Sequence, residues 1–108
     1  MKIAILHCRK ASDVCTGAAC FKAYHQNLKS FAQYRDNQPE LAAFFDCGGC
    51  GIDRAANPGM VEKMQRLKSE GVDKIHIGIC VNPQKCSHYQ EILALLDQYE
   101  IPYELGTH

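Results

Sequence analysis

Apolar runs of strand length alternate along this chain with stripes of helical spacing, and turn-forming residues separate them. Lys2-Ile-Ala-Ile-Leu-His-Cys8 is a continuous apolar run, the mark of a central strand covered on both faces. A polar stretch from Arg9 to Thr16 then leads into a predicted helix on which Phe21, Tyr24, Leu28, Phe31 and Tyr34 recur at helical spacing, ended by Asp36-Asn-Gln-Pro39. A second strand is expected over 41–47. Asn57-Pro58 gives a helix cap followed by proline at the first helical position, Met60, Val61, Met64 and Leu67 form its apolar stripe, and Gly71 closes it. The third strand is predicted over 74–80, with Ile75, Ile77 and Ile79 on one face. A helix over about 87–99 carries Tyr89, Ile92, Leu96 and Tyr99 inward, and a short strand over 101–105 contains Pro102, which suits an edge.

The order is therefore βαβαβαβ, which implies an α/β fold with a parallel sheet and right-handed crossovers. The expected arrangement is one domain, residues 1–108, with a small open four-stranded sheet in the order 2-1-3-4, a reduced flavodoxin-like winding. The first helix should cover one face and the other two the opposite face. A crevice then opens between strands 1 and 3, outside their carboxyl ends, where ligands of such sheets bind.

Three cysteines, Cys8, Cys47 and Cys80, end the first three predicted strands, and Cys15, Cys20, Cys50 and Cys86 lie in or just beyond the loops that follow. This topology collects all seven at one edge of the sheet. Adjacent strands are about 4.8 Å apart and a zinc–thiolate bond is about 2.3 Å, so sulfurs from neighbouring strand ends can share an ion. Twelve basic residues balance twelve acidic ones, which argues against a nucleic-acid partner. No run is long enough for a signal peptide core or a membrane span, so a cytoplasmic setting is expected. There an odd set of clustered thiols suits metal or redox chemistry better than disulfide staples.

Cys47-Gly-Gly-Cys50 is the strongest local motif, because its glycines let the loop turn and aim both sulfurs inward. Cys80 and Cys86 are spaced C-x5-C, and Cys86-Ser-His88 adds an imidazole at the mouth of the last helix. His108 falls just past the last strand, at the same rim. Cys20, in the first turn of its helix, reads equally well as a small core residue. His76 and His25 read as structural. Arg9, Lys10, Arg54 and Lys85 add positive charge in the same loops, although each alone reads as a solvated surface residue.

Cys15-Thr-Gly-Ala-Ala-Cys20-Phe-Lys-Ala, Cys47-Gly-Gly-Cys50, His76-Ile-Gly-Ile-Cys80, Cys86-Ser-His88 and the terminal Gly106-Thr-His108 together resemble the CGGC-domain family of prokaryotic proteins, over essentially the whole chain. The resemblance implies a cysteine- and histidine-rich metal-binding module, zinc foremost, and no particular reaction. The matching positions are Cys8, Cys15, Cys20, Cys47, Cys50, Cys80, Cys86 and His108. The chain departs from the family at Gly51 and Ser87, where members often carry proline.

Three functions follow. The first is a zinc site with Cys8, Cys47, Cys50 and Cys80 as preferred ligands and Cys15, Cys20, Cys86, His88 and His108 as further candidates. The second is an iron-sulfur cluster, although the spacings differ from common ferredoxin runs. The third is thiol chemistry, by a Cys47/Cys50 dithiol or a nucleophilic Cys80. The loop after Cys80 lacks the arginine of a phosphate-binding thiolate loop. Sequence does not decide whether the protein is an enzyme.

Overall fold

A computed structural model describes the chain from Met1 to His108. Four strands, β1 (Lys2–His7), β2 (Glu40–Asp46), β3 (Lys74–Ile77) and β4 (Tyr103–Leu105), form one sheet in the order β2-β1-β3-β4, and every pairing is parallel. The connecting helices are α1 (Ala18–His25), α2 (Pro58–Glu70) and α3 (Tyr89–Gln98). Strand order, parallel pairing and edge placement of Pro102 beside β4 all agree with the sequence pattern.

Alternation along β1 divides the core. Ala4 and Leu6 point to one side, where they join Met60, Met64 and Leu67 of α2, Ile92, Leu95 and Leu96 of α3, and Ile75 and Ile77 of β3. Ile3 and Ile5 point to the other, against Ala23 and Tyr24 of α1 and Phe31 and Tyr34 beyond it. Helix α2 starts as expected: the Asn57 side chain accepts from the Met60 N–H, Pro58 follows, and Gly71 ends the helix in a left-handed conformation at φ 81°. No helix is long and apolar enough to cross a membrane.

Two elements differ from the sequence reading. The first helix does not continue to Tyr34 but stops at His25, and a 3-10 helix over Lys29–Tyr34 takes its place. Asn27 (φ 54°) and Lys29 (φ 52°) adopt left-handed backbone, which a continuing α-helix does not allow, and Leu28 turns outward instead of joining the stripe. The break lets Phe31 and Tyr34 reach the sheet from a new direction. Likewise β3 ends at Ile77. The N–H of Gly78 still bonds the Leu6 carbonyl at 2.8 Å, but Val81 N–H closes a turn onto Gly78 O at 3.0 Å, so Ile79 leaves the sheet and Cys80 sits within that turn. Glycine suits position 78, since a Cβ there would crowd Cys80 Sγ and Leu6 O at 3.2 Å each.

His76, on central strand β3, is fully buried and structural, as its place in the pattern suggests. Its Nδ1 lies 2.8 Å from Ser30 Oγ and its Nε2 2.8 Å from the Tyr34 hydroxyl, so a neutral ring finds one donor and one acceptor. Phe31 packs against the ring at 4.5 Å. Burial, helped by the Lys74 charge, lowers its pKa from 6.5 to about 4. In the unfolded chain this imidazole takes a proton near pH 6.5, whereas the folded protein refuses it until about pH 4, so stability is full above the unfolded value and falls as pH drops through that window. The expected loss by pH 4 is up to about 3 kcal/mol. Urea denaturation across pH 4 to 7 should show it, and His76→Gln should be less stable at neutral pH yet lose about that much of the acid slope. An unchanged slope would refute the assignment.

Candidate functional site

The thiol-bearing loops all leave the carboxyl edge of the sheet. Cys8 follows β1 directly, and its backbone N–H donates to Cys80 Sγ at 3.2 Å. The next N–H, of Arg9, donates to Cys47 Sγ at 3.5 Å, and the Cys47 N–H is itself held by the His7 carbonyl at 3.0 Å. The end of the central strand thus touches a sulfur from each neighbouring strand loop.

From this centre the thiols divide. Cys47 is buried in the core cluster on the α2/α3 side, and Cys8, Cys80 and Cys86 pack against that cluster. Cys86 is also near enough to Cys47, Cys50 and Cys8 that charge on any of them pushes its pKa up, adding to a rise caused first by burial. On the α1 side, Cys20 is buried 3.2 Å from Thr107 Oγ1 and 3.6 Å from His108 Nδ1. Burial raises its pKa too, and Cys15 adds to the rise while the Thr107 hydroxyl opposes it. Cys80 lies between the groups: burial raises its pKa foremost, the Cys8 N–H works against that, and both Cys8 and Cys20 reinforce it. The seven thiols thus lie along one rim, and Cys20, Cys80 and Cys86 each feel the charge of other cysteines there. All seven are free.

The Cys47–Cys50 loop is shaped by glycine and arginine. Gly48 adopts φ 86°, and a Cβ there would come within 2.6 Å of Met60 Sδ. Beneath the loop lies Arg54, only 2% exposed, its Nε donating to Cys47 O at 2.8 Å and its Nη2 to Gly49 O. Its Nη1 has no hydrogen-bond partner and lies 3.6 Å from a Glu91 carboxylate oxygen. The solvated reading of Arg54 is therefore wrong, because the loop wraps the guanidinium and uses it as a clamp. Nothing in its immediate sequence signals this. Lys10 and Lys85 are exposed, and exposed Arg9 reaches Gly48 O at 3.4 Å.

The histidines separate further. His88 caps α3, where its Nδ1 lies 2.8 Å from Glu91 Oε2, a pairing that lowers the Glu91 pKa ahead of the effect of Arg54. It belongs to the chain His88, Glu91, Arg54 that supports the loop. His108 instead lines the α1 side beside Cys20, and Thr107, fully buried, pins it there through a 3.0 Å contact. His25 is exposed at the end of α1.

As a donor set, thiolate sulfur with imidazole nitrogen suits a soft divalent ion. Its arrangement is less complete: nowhere do three His, Cys, Asp or Glu side chains converge as a ready-made ion cage. The thiols are adjacent but not closed around one point. A small open α/β domain with a thiol-lined carboxyl rim is the class these features define. The family model of the CGGC domain matches residues 2–108, and the chain belongs to that family. No curated protein and no solved structure matches it.

Replacing Arg54 by Ala would leave two loop carbonyls without a donor in a buried setting, a loss of about 3 kcal/mol. Urea unfolding should show that loss, and amide hydrogen exchange should quicken over Cys47–Gly51. Exchange that stays unchanged across the loop would show that the clamp does not hold it.

Proposed function

We propose that this protein binds a thiophilic metal ion, zinc foremost, at the carboxyl rim of its sheet. The observation that carries the reading is the gathering of seven free thiols, from three strand-to-helix loops and the first turn of α1, at one edge of the sheet. Cys8, Cys47 and Cys50 are the ligands we favour, with a fourth from Cys80 or Cys86. We favour Cys86, because charge on Cys47, Cys50 and Cys8 all bears on it, whereas only that of Cys8 and Cys20 bears on Cys80. A bound ion would act there as a Lewis acid or a structural tie, and the residues' own part is to present sulfur.

Nucleophilic catalysis by Cys80 draws less support. Burial holds Cys20, Cys80 and Cys86 above the ordinary thiol value, which keeps them protonated and poor as nucleophiles, whereas a metal can displace those protons on binding. An ion held by the folded rim and not by the unfolded chain should stabilise the fold.

Protein purified anaerobically at mild pH without chelator should contain close to one equivalent of zinc or more, and chelation should lower its melting temperature. Less than about a tenth of an equivalent of any transition metal would count heavily against the proposal. Visible absorption with acid-labile sulfide would replace zinc by an iron-sulfur cluster. Within the zinc reading, Cys86→Ser should weaken binding at least tenfold and Cys80→Ser much less. The reverse order would place Cys80 in the site.

A further inference from the structure

The two edges of the sheet are built differently. β4 is short, follows Pro102 and carries Glu104, all ordinary means of keeping an edge from pairing with another chain. β2 is a seven-residue strand with no proline and no charge between Glu40 and Asp46. The charges at its ends are held within the same copy, Glu40 by Lys2 at 3.8 Å and Asp46 by Lys63 at 2.8 Å, so nothing along this edge repels a like strand. Phe44, in its middle, is 36% exposed.

The free backbone groups of this edge follow an uncommon interval. Glu40 N–H bonds Met1 O and Cys47 N–H bonds His7 O, each at 3.0 Å, so the backbone at both ends of β2 faces β1. Alternation forward from Glu40 turns Leu41 outward, and alternation back from Cys47 turns Asp46 and Phe44 outward. An extra residue reconciles the two counts: Ile3 faces Leu41 and Ala4 faces Ala43, so Ala42 is a bulge. The outward N–H and C=O groups of Leu41 and Phe44 bond nothing in the chain, and they stand three residues apart instead of two.

Against a regular strand that interval is a barrier, because regular backbone offers its groups every second residue and meets only one of the two. A second copy of β2 running antiparallel has the same interval. Leu41 of each then meets Phe44 of the other, both at once. Side chains agree with this register, since opposed residues of an antiparallel pair share a face. Leu41 packs on the α1-side core and Phe44 stacks on Phe21 of α1 at 5.1 Å, so both project to that side. Ala42 and Ala43 fall between them, both pack toward the α2/α3 core, and are small enough for two bulges to face each other.

We propose that two copies of this chain associate through β2, edge to edge and antiparallel about a two-fold axis, joining their four-stranded sheets into one. The pairing uses no thiol.

The test uses the full chain as purified, kept under reductant so that no disulfide joins copies. Sedimentation should show a dimer at about 100 μM that dissociates on dilution toward about 1 μM. Over the same range the amides of Leu41 and Phe44 should exchange with deuterium roughly tenfold more slowly in the concentrated sample. Leu41→Glu and Phe44→Lys each set a charge against an apolar side chain at both contacts of a homodimer, so either alone should weaken association about tenfold. Mixed in equal amounts they should associate within about threefold of the parent, because one contact then joins opposite charges and the other is the native pair. A parent that stays monomeric, a dimer whose Leu41 and Phe44 amides exchange as fast as the monomer's, a folded variant that pairs as tightly as the parent, or a mixture of folded variants that stays monomeric would each overturn the proposal. Should a variant fail to fold, exchange in the parent still decides.

Discussion

Everything at the rim depends on the parallel pairing of β1 with both β2 and β3. In a parallel sheet all strands finish at the same edge, so the residues after each strand become neighbours however far apart they are in sequence. Here the central strand makes the junction explicit. Its last residues send consecutive backbone N–H groups, from Cys8 and Arg9, to sulfurs of Cys80 and Cys47. Sequence separations of 72 and 38 residues are closed by those two contacts. Had β2 or β3 run antiparallel to β1, its cysteine would end at the opposite pole.

The alternation of β1 then decides how the thiols are shared out. His7 faces the α1 side with Ile3 and Ile5, and Cys8 packs toward the α2/α3 side with Ala4 and Leu6. One face consequently gathers Cys8, Cys47 and Cys86 on a core of α2 and α3. The other gathers Cys15, Cys20 and His108 around an apolar cavity. Cys80, released from the strand by the Gly78 turn, lies in the crevice between them. Two chemically different environments thus share one rim, and each of them holds thiols.

Most of this scaffold was legible in the sequence because its signals were local and repeated. Continuous apolar runs marked β1, Asn57-Pro58 and Gly71 bracketed α2, and the strict βα alternation left little choice of topology. The misread places are those where a local signal was absent or misleading. Helical spacing from Phe21 to Tyr34 is real, but the chain breaks it with left-handed backbone at Asn27 and Lys29, residues with no glycine to announce the turn. Ile75, Ile77 and Ile79 alternate well, yet only the first two lie in the strand, because Gly78 turns the backbone where a larger residue would collide. That the thiols gather was predictable from topology. Their division between faces depends on loop paths, which spacing does not encode.

Arg54 shows what such a site requires beyond sulfur. On the metal-binding reading proposed above, several thiolates on one divalent ion would leave net negative charge, and a loop carrying two of them would be served by a fixed cation close by as well as a fixed shape. One guanidinium meets both needs. It donates to the carbonyls of Cys47 and Gly49, so the backbone between the two cysteines is anchored, with the Cys47 sulfur buried against the Arg9 N–H and Cys50 exposed. Lysine, with a single ammonium, lacks the planar fork that spans two carbonyls while still facing Glu91. Glu91 is in turn held by His88 at the cap of α3, so the loop is braced against a helix of the core and not merely laid on the surface. The thiols are therefore presented from a supported backbone, and what remains adjustable is the side-chain torsion of each cysteine. On the metal-binding reading proposed above, drawing sulfurs onto an ion would fall to rotations of that kind, with the sheet left as it is.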